Sequence, residues 1–188
     1  MRGELSPAYP LRDVGGAPLD PPRTWAALSW DAGALRVSFD AASEPPLAVG
    51  GAAVYEDECV ELFLCDAGEE ARYSEVVVNP AGAVYTARIH NPDGSRATWR
   101  LEPGAALPGL AVEVSGEPAG APELFRRWRC RITLPWRGTP PRPGEVRRGN
   151  LYRISRGSTT RFEALSPTLR SDPPDFHVPA RFAGFVFE

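Results

Sequence analysis

Proline is the residue that most constrains this chain, because 21 of its 188 residues are proline. That is about twice the usual share in globular proteins. A proline inside a helix removes a backbone hydrogen bond and clashes with the preceding turn, so this density excludes long helices. Short strands joined by Pro- and Gly-rich turns are still possible. Since 43% of the residues are hydrophobic and 10% are aromatic, the chain can build a core, and we expect an all-β protein.

The length fits one β-sandwich or barrel domain and leaves little room for a second. Five of the prolines lie within residues 1–24. We therefore predict a proline-rich N-terminal arm over residues 1–18, followed by one domain over residues 19–188.

Charge and hydropathy exclude two classes of partner. The 21 basic residues, all arginine, and the 24 acidic residues give a net charge of −3. Nonspecific nucleic-acid binding needs excess positive charge, so we expect no nucleic-acid partner. No apolar run approaches the roughly 18 residues of a membrane span, so we expect no membrane partner. The first ten residues lack the apolar segment of a secretory signal, which predicts a cytoplasmic protein unless a leader has been removed. The sequence leaves the oligomeric state open.

Alternation of apolar and polar residues predicts the strands. In the clearest example, Leu35, Val37 and Phe39 alternate with polar residues, the period of a half-buried strand. Strands recurring between turn signals, with no helical period, are typical of an antiparallel β-sandwich. The predicted strands are 25–29, 35–40, 58–66, 72–79, 83–90, 110–115, 125–134, 151–156 and 182–187.

Arginines alternate with apolar residues along the predicted strand 125–134. Trp128, Cys130, Ile132 and Leu134 are expected to face inward. The arginines at 126, 127, 129 and 131 then form either a solvated strand face or a contact for an anion or a protein partner.

The predicted strands 58–66 and 72–79 carry the main functional signal. In a hairpin of these strands, residues of equal parity share a face. One face is then aliphatic, and the other carries Glu61, Phe63, Tyr73, Glu75 and Asn79. A solvated outer face is one interpretation. Sugar binding is the other, because aromatic rings stack on sugar C–H faces and a buried hydroxyl without a hydrogen-bond partner costs about 1–3 kcal/mol.

Two other chemistries are open at this stage. Glu61 and Glu75 have the residue types of a glycosidase carboxylate pair, and cross-strand neighbours lie about 5 Å apart at Cβ. Calcium is a possible cofactor, with oxygen ligands at 56–58 or at Asp172 and Asp175 beside His177, although EF-hand spacing is absent and these carboxylates are also typical of hydrated loops. The three cysteines lack a CxxC spacing and indicate neither a disulfide framework nor a zinc site.

An ordered set of motifs runs through residues 19–188. The motifs are Leu19-Asp20 with Trp25, LSWDAGALRVSF at 28–39, YEDECVELFL at 55–64, YSEVVVNPAG at 73–82, LPW at 134–136, GNLYRIS at 149–155 and DFHVPARFAGFVFE at 175–188. Their order resembles the family 9 carbohydrate-binding modules, a branch of the DOMON-like β-sandwiches.

The resemblance implies a jelly-roll sandwich that binds glycan ends of glucans or xylans, or short soluble sugars. Two aromatic rings clamp one sugar ring in such modules, and the matching positions here are Tyr55 and Phe176. The family's glutamate, which accepts hydrogen bonds from hydroxyls, matches Glu61, and Tyr152 matches a polar position that faces the sugar. Both clamp positions are Trp in the sugar-binding members, so the smaller rings here offer less stacking area.

A family arginine is replaced by Val77, and we expect Arg88 or Arg153 to compensate for it. The predicted ligand-binding set is therefore Tyr55, Glu61, Glu75, Asn79, Arg88, Tyr152, Arg153, Phe176 and His177, with no catalytic residue. The expected function is noncatalytic binding of a carbohydrate ligand.

The alternatives to sugar binding are a small glycoside hydrolase and a haem-binding DOMON-type domain. Haem domains of this type use Met and His as axial ligands. The only methionine here is Met1, so a haem site would need His90 and His177.

Overall fold

The structure, a computed structural model, describes residues 6–21, 23–43, 50, 53–118 and 125–188. These residues form two single-turn 3-10 helices, Val54–Glu56 and Pro179–Arg181, and thirteen strands. The strands are β1 (Tyr9–Pro10), β2 (Arg12–Asp13), β3 (Thr24–Trp30), β4 (Ala34–Ala42), β5 (Cys59–Cys65), β6 (Arg72–Val78), β7 (Val84–His90), β8 (Arg100–Pro103), β9 (Ala111–Pro118), β10 (Phe125–Pro135), β11 (Val146–Arg156), β12 (Thr160–Ala164) and β13 (Ala183–Val186). Across the described ranges, no helix has the length and apolar character that a membrane crossing requires.

The strands form two antiparallel sheets, which confirms the predicted all-β sandwich. The five-stranded sheet has the order β1-β3-β4-β10-β9. The eight-stranded sheet has the order β2-β12-β11-β5-β6-β7-β8, and β13 pairs with the first part of β11. The predicted strands 25–29 and 35–40 pair as β3 and β4, and the predicted hairpin of strands 58–66 and 72–79 is present as β5–β6.

The main core lies between the two sheets. Val60 and Leu62 of β5, with Val76 of β6, pack there against the inward side chains of the five-stranded sheet. Trp128, Cys130, Ile132 and Leu134 are all less than 5% exposed, so the predicted inward face of β10 is confirmed. On its outward face, Arg127 and Arg129 pair with Asp40, and Arg131 lies 3.8 Å from Glu113, as in a solvated strand face.

A second hydrophobic cluster covers the outer face of the eight-stranded sheet. All seven residues of β5 are buried, so this strand is covered on both faces. The cluster contains Phe63 and Tyr73 from the sheet and Phe176 and Phe182 from the segment that precedes β13. The C-terminal segment therefore covers much of the predicted polar outer face of the sheet. The carboxyl groups on that face are buried beneath it and are not exposed to bulk water.

Parts of the N-terminal segment and several short strands differ from expectation. β1 pairs with β3 and β2 pairs with β12, and Leu11 between them is 1% exposed, so residues within the predicted arm lie in the sandwich. β8 and β12 were not predicted, and β11 begins at Val146, ahead of the predicted strand 151–156. Such two- to five-residue pairings are too short for a clear period-2 pattern. Residues 44–51, which carry no predicted strand, lie outside the described residues except at position 50.

Candidate ligand-binding pocket

A pocket of about 260 Å³ opens on the outer face of the eight-stranded sheet. Five predicted site residues line it: Tyr55, Glu61, Glu75, Phe176 and His177. A larger cavity of about 400 Å³ lies against β3 and β13 and is bounded mainly by apolar groups such as Trp30 and Phe185. The smaller pocket is the better site candidate, because it gathers titratable groups with perturbed pKa values beside aromatic rings.

Glu61 and Glu75 form the floor of the pocket. Glu61 lies opposite Val77 in the β5–β6 ladder, and Glu75 lies opposite Phe63, so the two glutamates are diagonal neighbours on one face. They are only 3% and 5% exposed. The Cys59 thiol lies 3.7 Å from Glu61 Oε1, the range of a weak sulfur hydrogen bond.

The surroundings raise the pKa of both floor carboxyls. Burial is the main cause for Glu61, and the neighbouring charge of Glu75 adds to it, so its pKa lies well above the usual range. Burial also raises the pKa of Glu75 to about 7, against an opposing effect of Arg96. Near neutral pH the pair therefore holds protons that ordinary glutamates have lost.

His177 forms a neutral wall beside the carboxyls. Its Nδ1 lies 3.0 Å from the Tyr73 hydroxyl, and its backbone N–H donates to Asp175 Oδ1 at 3.1 Å. Burial, with a smaller effect of Arg96, lowers the pKa of His177 to about 3. The imidazole is therefore uncharged at neutral pH and adds no positive charge to the pocket.

Aromatic rings from three separate elements surround the opening. Tyr55 stands on the first 3-10 helix and is 43% exposed, and its ring meets that of Tyr85 on β7 edge-on at 5.1 Å. Trp99, in the loop before β8, contacts His177 edge-on at 4.8 Å. The Arg96 guanidinium lies 5.0 Å from the Trp99 ring centroid and donates to Asp175 Oδ1 at 3.0 Å.

Phe176 and Tyr152 form a stacked pair at the pocket wall. Their rings are nearly parallel, 4.2 Å apart with a 10° interplanar angle. The Tyr152 hydroxyl donates to the Phe176 carbonyl at 2.8 Å and accepts from Asn150 Nδ2 at 2.8 Å. Tyr152 is fully buried, so the structure gives it a supporting position behind Phe176. One face of the Phe176 ring is covered by Tyr152, and only the remaining side is directed to the pocket.

Three predicted site residues lie away from the pocket. Asn79 donates to Asp57 at 2.9 Å and accepts from the Ala83 N–H, which closes the turn between β6 and β7. Arg88 bonds to Asp66 and to Ser74 on the opposite face of the sheet. Strand alternation explains this placement, because Arg88 lies opposite Ser74 whereas Glu75 faces the pocket.

Arg153 is the third of these residues, and it lies between the two sheets. It is opposite Val60, which belongs to the main core, and it is fully buried. Its Nη2 donates to Glu58 Oε1 at 2.8 Å, and its guanidinium stands 5.3 Å from the Trp128 ring centroid. The guanidinium therefore serves the interior of the sandwich and does not reach the pocket.

The sequence reasoning missed several pocket-lining residues, and Tyr85, Arg96 and Trp99 are among them. Tyr85, Ala87 and Ile89 share one face of a predicted strand that pairs with β6. Strand alternation applied to that strand therefore identifies Tyr85 as a residue on the pocket face. Arg96 and Trp99 lie in a loop, where no periodic signal exists.

The cofactor alternatives find little support in the described residues. Arg72 lies opposite His90 and Tyr73 opposite Ile89, so His90 is on the sheet face away from His177. The sheet separates the two histidines, and they cannot be axial ligands of one haem. Within the described ranges, no group of three or more His, Cys, Asp or Glu residues is placed to hold a metal ion.

The fold is similar to solved structures of carbohydrate-binding proteins. A "putative carbohydrate-binding protein" from Bacteroides uniformis matches 98% of this chain and 86% of its own, with a TM-score of 0.69 and 19% identity. A family 9 carbohydrate-binding module from Caldicellulosiruptor kristjanssonii in complex with cellotriose matches 88% of this chain and 75% of its own, with a TM-score of 0.61 and 15% identity. The same family from that organism in complex with glucose gives a TM-score of 0.60 at 15% identity, over 88% of this chain and 77% of its own.

No protein-family model and no curated protein matches the sequence. The structural likeness at 15–19% identity therefore establishes the fold, and it confirms the fold that the sequence motifs led us to expect.

Proposed function

We propose that this protein binds carbohydrate without catalysis, in the pocket on the outer face of the eight-stranded sheet. The observation that carries the proposal is that one pocket brings together the exposed ring of Tyr55, half-buried aromatic rings and two buried carboxyls. Solved structures with this fold include modules in complex with cellotriose and with glucose, which supports the same ligand class here.

The pocket offers both kinds of contact that a sugar needs. The rings of Tyr55, Tyr85 and Trp99 provide apolar surface for the C–H faces of the ring. Glu61 and Glu75 provide acceptors for hydroxyl groups, and a protonated carboxyl also donates. At about 260 Å³, the pocket is at the small end of small-molecule sites, so we expect one sugar ring or a chain end as the ligand.

Isothermal titration calorimetry with glucose, cellobiose and xylobiose tests the proposal. We expect saturable heat from at least one of these sugars. Trp99→Ala removes one wall and is expected to weaken binding about tenfold, which corresponds to about 1.4 kcal/mol. Trp25→Ala is the matched control, because Trp25 is also a half-buried tryptophan but lies on the five-stranded sheet.

Two results contradict the proposal. Silence from these three sugars and from glucosamine, with folded protein, removes it. Equal affinity of wild type and Trp99→Ala shows that the sugar binds elsewhere.

A glycoside hydrolase is the second candidate, and one observation favours it. Glu61 and Glu75 share one pocket, and the charge of Glu75 contributes to the raised pKa of Glu61, as expected for neighbouring carboxylates in a hydrolase site. This function predicts release of nitrophenol from aryl glycosides and its loss in Glu61→Gln. No release by concentrated wild-type protein contradicts the hydrolase function and leaves noncatalytic binding in place.

A further inference from the structure

We propose that the preferred ligand of this pocket is a 2-amino sugar whose protonated amine lies between Glu61 and Glu75. The inference rests on the proposed carbohydrate-binding function and adds the charge of the ligand to it. Three features of the pocket lead to it: the floor carboxyls, the engagement of the nearby cations, and the aromatic walls.

The floor carboxyls lack protein partners of matching charge. Among the described residues, Glu75 has neither a hydrogen-bond partner nor an ion-pair partner, although it is only 5% exposed. Glu61, 3% exposed, has only the weak donor Cys59 Sγ at 3.7 Å. A buried carboxylate without a donor is costly, and these groups hold protons near neutral pH for that reason. A ligand that supplies an N–H donor and a positive charge relieves that cost and favours the ionised carboxylates.

Arg96, the arginine among the described residues that line the pocket, is already engaged elsewhere. Arg96 donates to Asp175 at 3.0 Å and lies over the Trp99 ring, and its side chain is 56% exposed. Arg170 also meets Asp175, at 3.5 Å. His177 is uncharged near neutral pH because of its burial. The charge of Arg96 acts on both glutamates from a distance but does not outweigh their burial, so it does not keep the floor carboxyls ionised and leaves that role to a cationic ligand.

The aromatic walls suit an amino sugar as well as a neutral one. Their ring faces attract a cation within about 6 Å of the ring centroid. They also stack on the C–H face of any pyranose. The walls therefore do not discriminate between the two ligands, and the carboxyl pair decides the preference.

Calorimetry with glucosamine, glucose and N-acetylglucosamine tests this inference directly. The three sugars share a ring and differ at one position, where they carry an ammonium, a hydroxyl and a neutral amide. Near pH 7 and at low salt, we expect glucosamine to bind at least about tenfold more tightly than either neutral sugar. We expect Glu75→Gln to reduce that ratio below about threefold, because the amide carries no charge.

Glu113→Gln is the matched control, since it removes one carboxylate whose side chain is 74% exposed on the other sheet. Its preference is expected to equal that of the wild type.

The outcomes separate this inference from the proposed function. Equal binding of glucose and glucosamine overturns the inference and leaves carbohydrate binding intact. A glucosamine preference that survives in Glu75→Gln also overturns it. Silence from every sugar tested, with folded protein, overturns the proposed function and the inference together.

Discussion

Glu75 is expected to destabilise the folded protein as pH rises through neutrality. Its pKa rises from 4.5 to about 7 on folding, mainly because of burial. At a pH between these two values the folded state holds a proton that the unfolded state has lost, so stability falls with increasing pH. The shift corresponds to about 3 kcal/mol, and this loss is complete once the pH exceeds the folded pKa.

Glu75→Gln removes this titration. We therefore expect the variant to gain stability relative to wild type by about 3 kcal/mol between about pH 4 and about pH 8. The difference between the two proteins is the quantity to measure, because His177 titrates in the opposite direction over part of the same range. Urea denaturation at each pH supplies the free energies, with Glu113→Gln as the exposed-carboxylate control.

A pH-independent difference between Glu75→Gln and wild type refutes this reasoning, since it means that Glu75 keeps an ordinary pKa in the folded protein. The same conclusion follows if Glu113→Gln reproduces the pH-dependent gain. A gain that appears only below about pH 4.5 refutes the sign of the shift.

Three further predictions concern the core and the pocket wall. Arg153→Met leaves Glu58 buried without its cation and should lower the free energy of unfolding by about 3–5 kcal/mol, measured by chemical denaturation. Combining Arg153→Met with Glu58→Gln should recover part of this loss. Additive effects of the two substitutions would contradict a stabilising Arg153–Glu58 ion pair. Gly149→Ala places a Cβ 2.7 Å from the Phe63 carbonyl oxygen and should cost about 1–3 kcal/mol, measured as a lower denaturation midpoint. Because the pKa of His177 is lowered from 6.5 to about 3, wild type loses stability as pH falls through this window. His177→Asn should show a shallower acid-side loss, and an unchanged slope would contradict the assignment.

The faces of the central strands were predictable from the sequence. Val60, Leu62 and Val76 alternate with the residues that form the second cluster and the pocket floor, as the period of an extended chain requires. The short turn between β5 and β6 sets their register, so Glu61 and Glu75 were placed correctly on one face. The strand alternation and the turn both lie within about twenty residues of sequence, so neighbouring positions are sufficient to recognise them.

The placement of Arg153 shows the limit of that reasoning. Alternation indicates that Tyr152 and Arg153 face opposite sides of β11, but it does not say which side is the pocket. The register with β5 decides it, since Tyr152 lies opposite Glu61 and Arg153 lies opposite Val60. That pairing joins segments about ninety residues apart, and sequence periodicity carries no information about it.

The sequence by itself determined the all-β class, the inward face of β10 and the shared face of Glu61 and Glu75, because all three follow from proline density and strand alternation. Only the tertiary structure decided that this face is a covered pocket. The Tyr73–His177 contact spans 104 residues, and Trp99 and Arg96 reach the opening from a loop. Such contacts depend on how distant segments pack together, and this packing buries the carboxyls and raises their pKa values.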